Sequence, residues 1–111
     1  MTTGERGART IVVIDDEHDM RVLLDTILTQ AGYNVVVCGD PTQAVALVAR
    51  TKPDLILCDI GMPEMNGYDV LRALQRDPAT ARFPLVFLTA HREFGERVRA
   101  FRGDVGRLGM T

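Results

Sequence analysis

Three aspartates and a threonine carry the chemistry this sequence offers. Asp15 and Asp16, with Glu17 behind them, follow the unbroken apolar run of residues 10–14. Asp59 closes a second such run, residues 55–58, and Thr89 closes a third, residues 83–88. If those runs are strands of one parallel sheet, their carboxyl ends share an edge, and three carboxylates meet there. Like charges so placed repel unless a cation lies among them. A hard cation with oxygen ligands is the natural partner, and Mg²⁺ takes one or two carboxylates while keeping room for water and a phosphate. An aspartate beside such an ion can act as a nucleophile toward phosphorus and form an acyl phosphate. The metal would neutralise charge on the phosphoryl oxygens during in-line transfer. Thr89 would hydrogen-bond one of those oxygens from the neighbouring strand. A plainer reading exists for the first acids: they cap a helix and complement its dipole. It does not account for Asp59 and Thr89 at matching strand ends.

The elements that must position these residues are legible from periodicity. Residues 10–14 (TIVVI) are β-branched and apolar without a break, which suits a strand covered on both faces. Three successive acids cannot continue it, because an unpaired buried charge is costly. Met20, Leu23, Leu24, Ile27, Leu28 and Ala31 then recur at spacings of three and four, one face of a helix that Gly32 ends. Residues 33–38 form the second strand. Asp40-Pro41 is a helix-start signature, a capping side chain followed by proline at the first helical position. That helix carries Ala44, Val45, Leu47 and Val48 and stops before Lys52-Pro53. The third strand ends at Asp59. A loop over 61–66 leads to a helix over about 67–76, with Val70, Leu71 and Leu74 inward. Residues 83–88 form the fourth strand. A last helix over about 92–102 shows Phe94, Val98 and Phe101 at helical spacing, with Glu93 and Arg97 able to pair outward. Regular alternation of strands and helices predicts an α/β fold with a parallel sheet covered on both faces.

Composition narrows the function classes. A chain of 111 residues is one domain, and 46% apolar with 25% charged residues suits a globular one. A net charge of −2, with no Lys/Arg-rich block, argues against direct nucleic-acid binding. No apolar stretch approaches the roughly 20 residues that span a bilayer, and residues 1–10 lack a signal core, so no membrane role and a cytoplasmic location are expected. Cys38 and Cys58 each lie in an apolar run and form no CxxC pair, so both read as buried thiols. The domain layout expected is a disordered lead-in over 1–9, one folded unit over 10–102, and an irregular glycine-rich tail over 103–111.

The combination Ile11-Val12-Val13-Ile14-Asp15-Asp16-Glu17, then Asp59-Ile60-Gly61-Met62-Pro63-Glu64-Met65-Asn66-Gly67, then Thr89-Ala90 resembles the receiver domain of two-component response regulators. The likeness runs from about residue 10 to 101. It implies a flavodoxin-like doubly wound parallel sheet. It also implies roles: Asp59 as phosphoacceptor, Asp16 and Asp59 as direct Mg²⁺ ligands with the backbone carbonyl of Gly61, Asp15 acting mainly through a bound water, and Thr89 as the switch hydroxyl. The phosphoryl donor would be a histidine kinase or phosphotransfer protein, and small phosphodonors often serve as well. The output would be a downstream protein target or self-association. Gly61 and His91 occupy positions that tune phosphoryl lifetime in the family. The chemistry would be self-catalysed transfer and hydrolysis, not that of a classical enzyme.

One departure stands out. Receivers have a fifth strand ending in lysine, then a fifth helix. Here the only lysine is Lys52, ahead of the third strand, and residues 103–111 hold three glycines and no apolar run. No Tyr or Phe follows Phe101 to serve as an aromatic switch partner. Arg102 and Arg107 are the nearby cations, and an arginine fork is not equivalent to a lysine point charge. The fifth strand and helix are therefore expected to be missing or atypical, as in a receiver truncated before or within that strand. The main expectation is a phosphoacceptor module; the alternative is a degenerate receiver acting as a phosphorylation-independent binding or dimerisation module. An aspartyl-nucleophile phosphatase would need a second acid two residues after the nucleophile, where Gly61 stands. A dinucleotide-binding fold would need a Gly-x-Gly turn after the first strand, where the acids stand.

Overall fold

The computed structural model describes residues 8–88. The order of elements is β1 (Thr10–Ile14), α1 (His18–Gln30), β2 (Asn34–Cys38), a short 3-10 helix (Pro41–Gln43), α2 (Ala44–Thr51), β3 (Leu55–Asp59), α3 (Gly67–Arg76) and β4 (Leu85–Leu88). The helix expected over 92–102, the glycine-rich tail and Thr89 lie outside the described residues.

All strand pairs are parallel, and the sheet order is β2-β1-β3-β4. Residues Ile11 to Ile14 of β1 pair with Val35 to Cys38 on one side and Leu55 to Cys58 on the other. Alternate side chains therefore feed two cores. Val12, Ile14, Ile56 and Cys58 face Ala44 and Val48 of α2 and Val70 and Leu74 of α3. Ile11 and Val13 face Met20 and Leu24 of α1. Helices on both faces of a parallel sheet make the doubly wound architecture that the alternation of elements predicts. Burying a side chain such as Val12 or Ile56 fully contributes about 1.5–3 kcal/mol.

Of the two central strands, β1 matches the expectation of cover on both faces, with Ile11 to Ile14 all buried, whereas Leu55 and Leu57 of β3 are only half-buried. β2 and β4, at the sides of the described sheet, differ. Val37 of β2 and Val86 of β4 are 41% and 50% exposed. A β-branched run marks a strand but does not say where in the sheet it lies. Ile27 shows the same limit in a helix: its spacing places it on the inward face of α1, yet it is 51% exposed, while Met20 and Leu24 are buried.

Local signals mostly operate as read. Gly32, with φ 101°, takes the left-handed position after α1. Asp40 accepts the Thr42 amide at 3.0 Å, but the turn it starts is 3-10 over Pro41–Gln43 before α2 begins at Ala44. Lys52 ends α2 in a left-handed conformation, φ 51°. It precedes β3, so it sits at the edge of the sheet opposite Asp59.

Candidate acidic phosphoacceptor site

β1 lies beside β3, and the sheet order reverses direction between them. In open α/β sheets the crevice at that reversal, outside the carboxyl ends of the strands, is where ligands bind. Asp15 follows β1 directly and Asp59 is the last residue of β3. Both are fully buried, whereas Asp16 is exposed at the mouth. One carboxylate oxygen from each of the three lies within 4.8 Å of the others. The acids that the sequence placed at one edge are therefore brought into a single group.

Short turns hold them. Asp15 donates its amide to the Cys38 carbonyl at 3.0 Å, continuing the ladder to β2. Its Oδ1 accepts the Glu17 amide at 2.8 Å, and Asp59 Oδ1 accepts the Gly61 amide at 3.1 Å. In both cases an aspartate bonds the backbone two residues on, which turns the chain away from the strand end. Gly61 thereby stands next to Asp59. A β-carbon at Gly61 would meet nothing within 4 Å, so the space beside it is open.

The loop from Gly61 to Asn66 is tied down at three points. Met62 is buried in the core under α2 and α3, and Met65 packs against the same cluster. Asn66 accepts the Asp69 amide at 3.0 Å while Asp69 accepts the Asn66 amide at 3.1 Å, a reciprocal cap on α3. Gly67 donates to the Ile60 carbonyl at 2.9 Å. Phe87 of β4 meets Tyr68 with ring centroids 4.9 Å apart.

Two thiols lie behind the acids, both buried and free, as the sequence implied. Burial, then the charges of Asp59 and Asp15, pushes the Cys58 thiol up to about 12 from its ordinary 9.0. Burial likewise raises Cys38. Hydrogen bonds from Thr42 hold the Asp40 carboxyl below the usual carboxylate range.

Two participants escaped sequence reasoning. The Arg21 guanidinium on α1 donates to the main-chain carbonyl of Asp15 at 2.8 Å. Gly39, just after β2, leaves the room that guanidinium occupies. The available signal was a cation next to the apolar stripe in the first turn of α1, and it reads as an ordinary surface residue. Thr89 and His91 lie outside the described residues; Leu88, the last residue of β4, pairs with Asp59.

The donor set fits a hard divalent cation. Three carboxylates converge, two of them removed from water, with open space at Gly61. Asp15, Asp16 and Asp59 are the residues that would hold it.

A family model described as the response regulator receiver domain matches residues 11–107. The response regulator PleD of Caulobacter vibrioides is 42% identical over 93 residues, covering 84% of this chain and 20% of that protein. The DNA-binding response regulator MtrA of Mycobacterium tuberculosis is 41% identical over 80 residues, covering 72% of this chain and 34% of that protein. The chain thus spans between a fifth and about a third of the length of these curated relatives. Among solved structures, the N-terminal domain of a response regulator receiver protein from Methanoculleus marisnigri JR1 superposes with a TM-score of 0.71 at 34% identity, covering 74% of this chain and 67% of that one. The chemotaxis protein CheY4 of Vibrio cholerae shares the fold, with a TM-score of 0.69 at 21% identity over 83% of this chain and 80% of that one.

Proposed function

The chain belongs to the response regulator receiver family of two-component signalling, and we propose that Asp59 is its phosphoacceptor in a Mg²⁺-dependent reaction. The observation that carries this reading is the grouping of Asp15, Asp16 and Asp59 within 4.8 Å, with Asp59 buried at the end of β3. Mg²⁺, when bound, supplies positive charge to the phosphoryl oxygens as they approach the carboxylates. Asp16 and Asp59 would hold it directly with the Gly61 carbonyl, and Asp15 would act through a water. The Asp59 carboxylate attacks phosphorus, a P–O bond forms, and the bond to the donor breaks, the donor leaving with its electron pair. The Gly61 amide orients the attacking carboxylate through its bond to Oδ1. Thr89 then bonds a phosphoryl oxygen and acts as the switch hydroxyl. Added charge at a strand end biases a two-state element, the segment after β4.

The donor is a histidine kinase or a phosphotransfer protein. The readout is a downstream protein or self-association. Its place of action is the cytoplasm, where such a donor would meet it; among the described residues no helix is long and apolar enough to cross a membrane. Hydrolysis of the phosphoaspartate is self-catalysed, with no separate substrate turned over.

The alternative is a phosphorylation-independent binding module; Lys52, the lysine of this sequence, precedes β3, at the edge away from Asp59. The complete acidic group favours phosphorylation. Incubation with Mg²⁺ and acetyl phosphate should add one phosphoryl mass to the chain and none to Asp59→Asn. No adduct, or an adduct that survives that substitution, overturns the reading.

A further inference from the structure

We infer that Arg21, laid over Gly39, is a positioning residue for the acidic pocket, clamping the main chain at Asp15 so that the Asp15–Glu17 turn presents its carboxylates to a cation. The inference rests on the reading of that pocket as a cation site.

Three observations meet at this point. The ladder between β1 and β2 runs as far as the Asp15 amide, which bonds the Cys38 carbonyl at 3.0 Å. At the carbonyl of the same residue a side chain takes over: Arg21 Nη1 donates to it at 2.8 Å. Arg21 is itself fixed in the first turn of α1, where its amide donates to the Glu17 carbonyl at 3.1 Å. The guanidinium therefore joins the start of α1 to the end of β1.

Gly39 supplies the independent evidence. Its φ is not in the left-handed region, so backbone torsion does not demand a glycine there. The demand is spatial. A β-carbon on Gly39 would lie 2.7 Å from Arg21 Nη1, 2.9 Å from Cζ and 3.2 Å from Nη2. The planar group lies in the space a side chain would fill, so a larger residue must shift this end of Arg21 from its seat beside Asp15.

The functional link is short. Asp15 Oδ1 accepts the Glu17 amide at 2.8 Å, and Asp16 lies between these two residues. If the Asp15 carbonyl is released, the turn that places Asp15 and Asp16 relative to Asp59 loosens. Groups that orient metal ligands without touching the metal typically change its affinity about 10–100-fold when removed.

The test uses the full chain and two measurements: Mg²⁺ affinity by titration calorimetry at constant ionic strength, and exchange of the Glu17 amide without metal. Gly39→Ala, which keeps every charge, should weaken Mg²⁺ about tenfold or more and speed Glu17 exchange relative to the strand amides. Arg21→Met should do the same, and the double variant should be no worse than Arg21→Met alone, because both act through one contact. Arg21→Lys, which keeps a donor and the charge, should recover part of the loss and serves as the milder variant if Arg21→Met does not fold. A merely structural role would lower the melting temperature and leave both readouts of the folded protein unchanged. Wild-type affinity and exchange in folded Gly39→Ala overturn the clamp alone. A wild-type chain that binds no Mg²⁺ overturns the cation site as well as the clamp's service to it.

Discussion

Gly67 approaches Asp59 so closely that a β-carbon on it would lie 2.6 Å from the Asp59 main-chain oxygen. The same carbon would sit 2.9 Å from the Ile60 α-carbon and 3.1 Å from the Phe87 ring. Backbone atoms of the strand end cannot move aside as a flexible side chain would. The first turn of α3 is thereby seated directly on the end of β3, and the glycine is required by contact, since its φ is not in the left-handed region.

Gly67→Ala should therefore destabilise the fold by about 1–3 kcal/mol, the usual cost of forcing atoms into a packed site. It should also slow phosphorylation of Asp59 by a small donor, because the displaced atoms belong to Asp59 and Ile60. Gly61→Ala is the internal contrast. Nothing lies within 4 Å of a β-carbon there, and its effect on stability should stay within about 0.5 kcal/mol. Urea unfolding of the two variants side by side would decide it: equal midpoints would refute the contact argument.

Asp59→Asn should raise the melting temperature without divalent metal and abolish most of the stabilisation that Mg²⁺ gives. Neutralising one of two buried carboxylates relieves their repulsion. In the wild-type chain, Mg²⁺ at a hundredfold excess over its dissociation constant should add about 2.7 kcal/mol, provided it binds the folded state only. Melts at matched ionic strength separate this from screening. An Mg²⁺ shift of the same size in both chains would remove Asp59 from the ligand set.

Alkaline pH should destabilise the protein through Cys58. Its thiol is held at about 12 in the folded state by burial and by the charges of Asp59 and Asp15, against an ordinary 9.0. A folded value above the unfolded one means that the unfolded chain releases its proton first. The contribution is intact below about pH 9 and is lost as pH rises toward 12. Cys58→Ala should flatten that slope of stability against pH, and Cys58 in the native wild-type chain should resist alkylation at pH 8. Rapid labelling of Cys58 under native conditions would contradict this account of its surroundings.

Much of the fold was legible because each element carries a local signal. The run TIVVI is short and β-branched throughout and so reads as a strand, three acids end it, and Asp40-Pro41 starts a turn. The apolar period of α3, from Val70 to Leu74, gave its inward face. What escaped were properties that depend on neighbours distant in sequence. Ile27 keeps the helical spacing of Met20 and Leu24 and still faces water. Arg21 looks like a surface cation until β2 turns away at Gly39 and leaves the Asp15 carbonyl to it.

The sequence by itself determined that acids close two apolar runs and that strands and helices alternate. Since strands joined through helices run parallel, it also determined that Asp15, Asp16 and Asp59 share one edge of a sheet. It did not determine which strands are neighbours. Only the tertiary structure decided that the connection from β2 crosses over β1, so that β3 pairs with its other side, in register from Ile11 with Leu55 to Ile14 with Cys58. The reason is physical. All four strands are apolar and any pair could hydrogen-bond, so order is selected by how the helices cover the two faces: α2 and α3 on one, α1 on the other. That choice turns three acids on a common edge into a group 4.8 Å across.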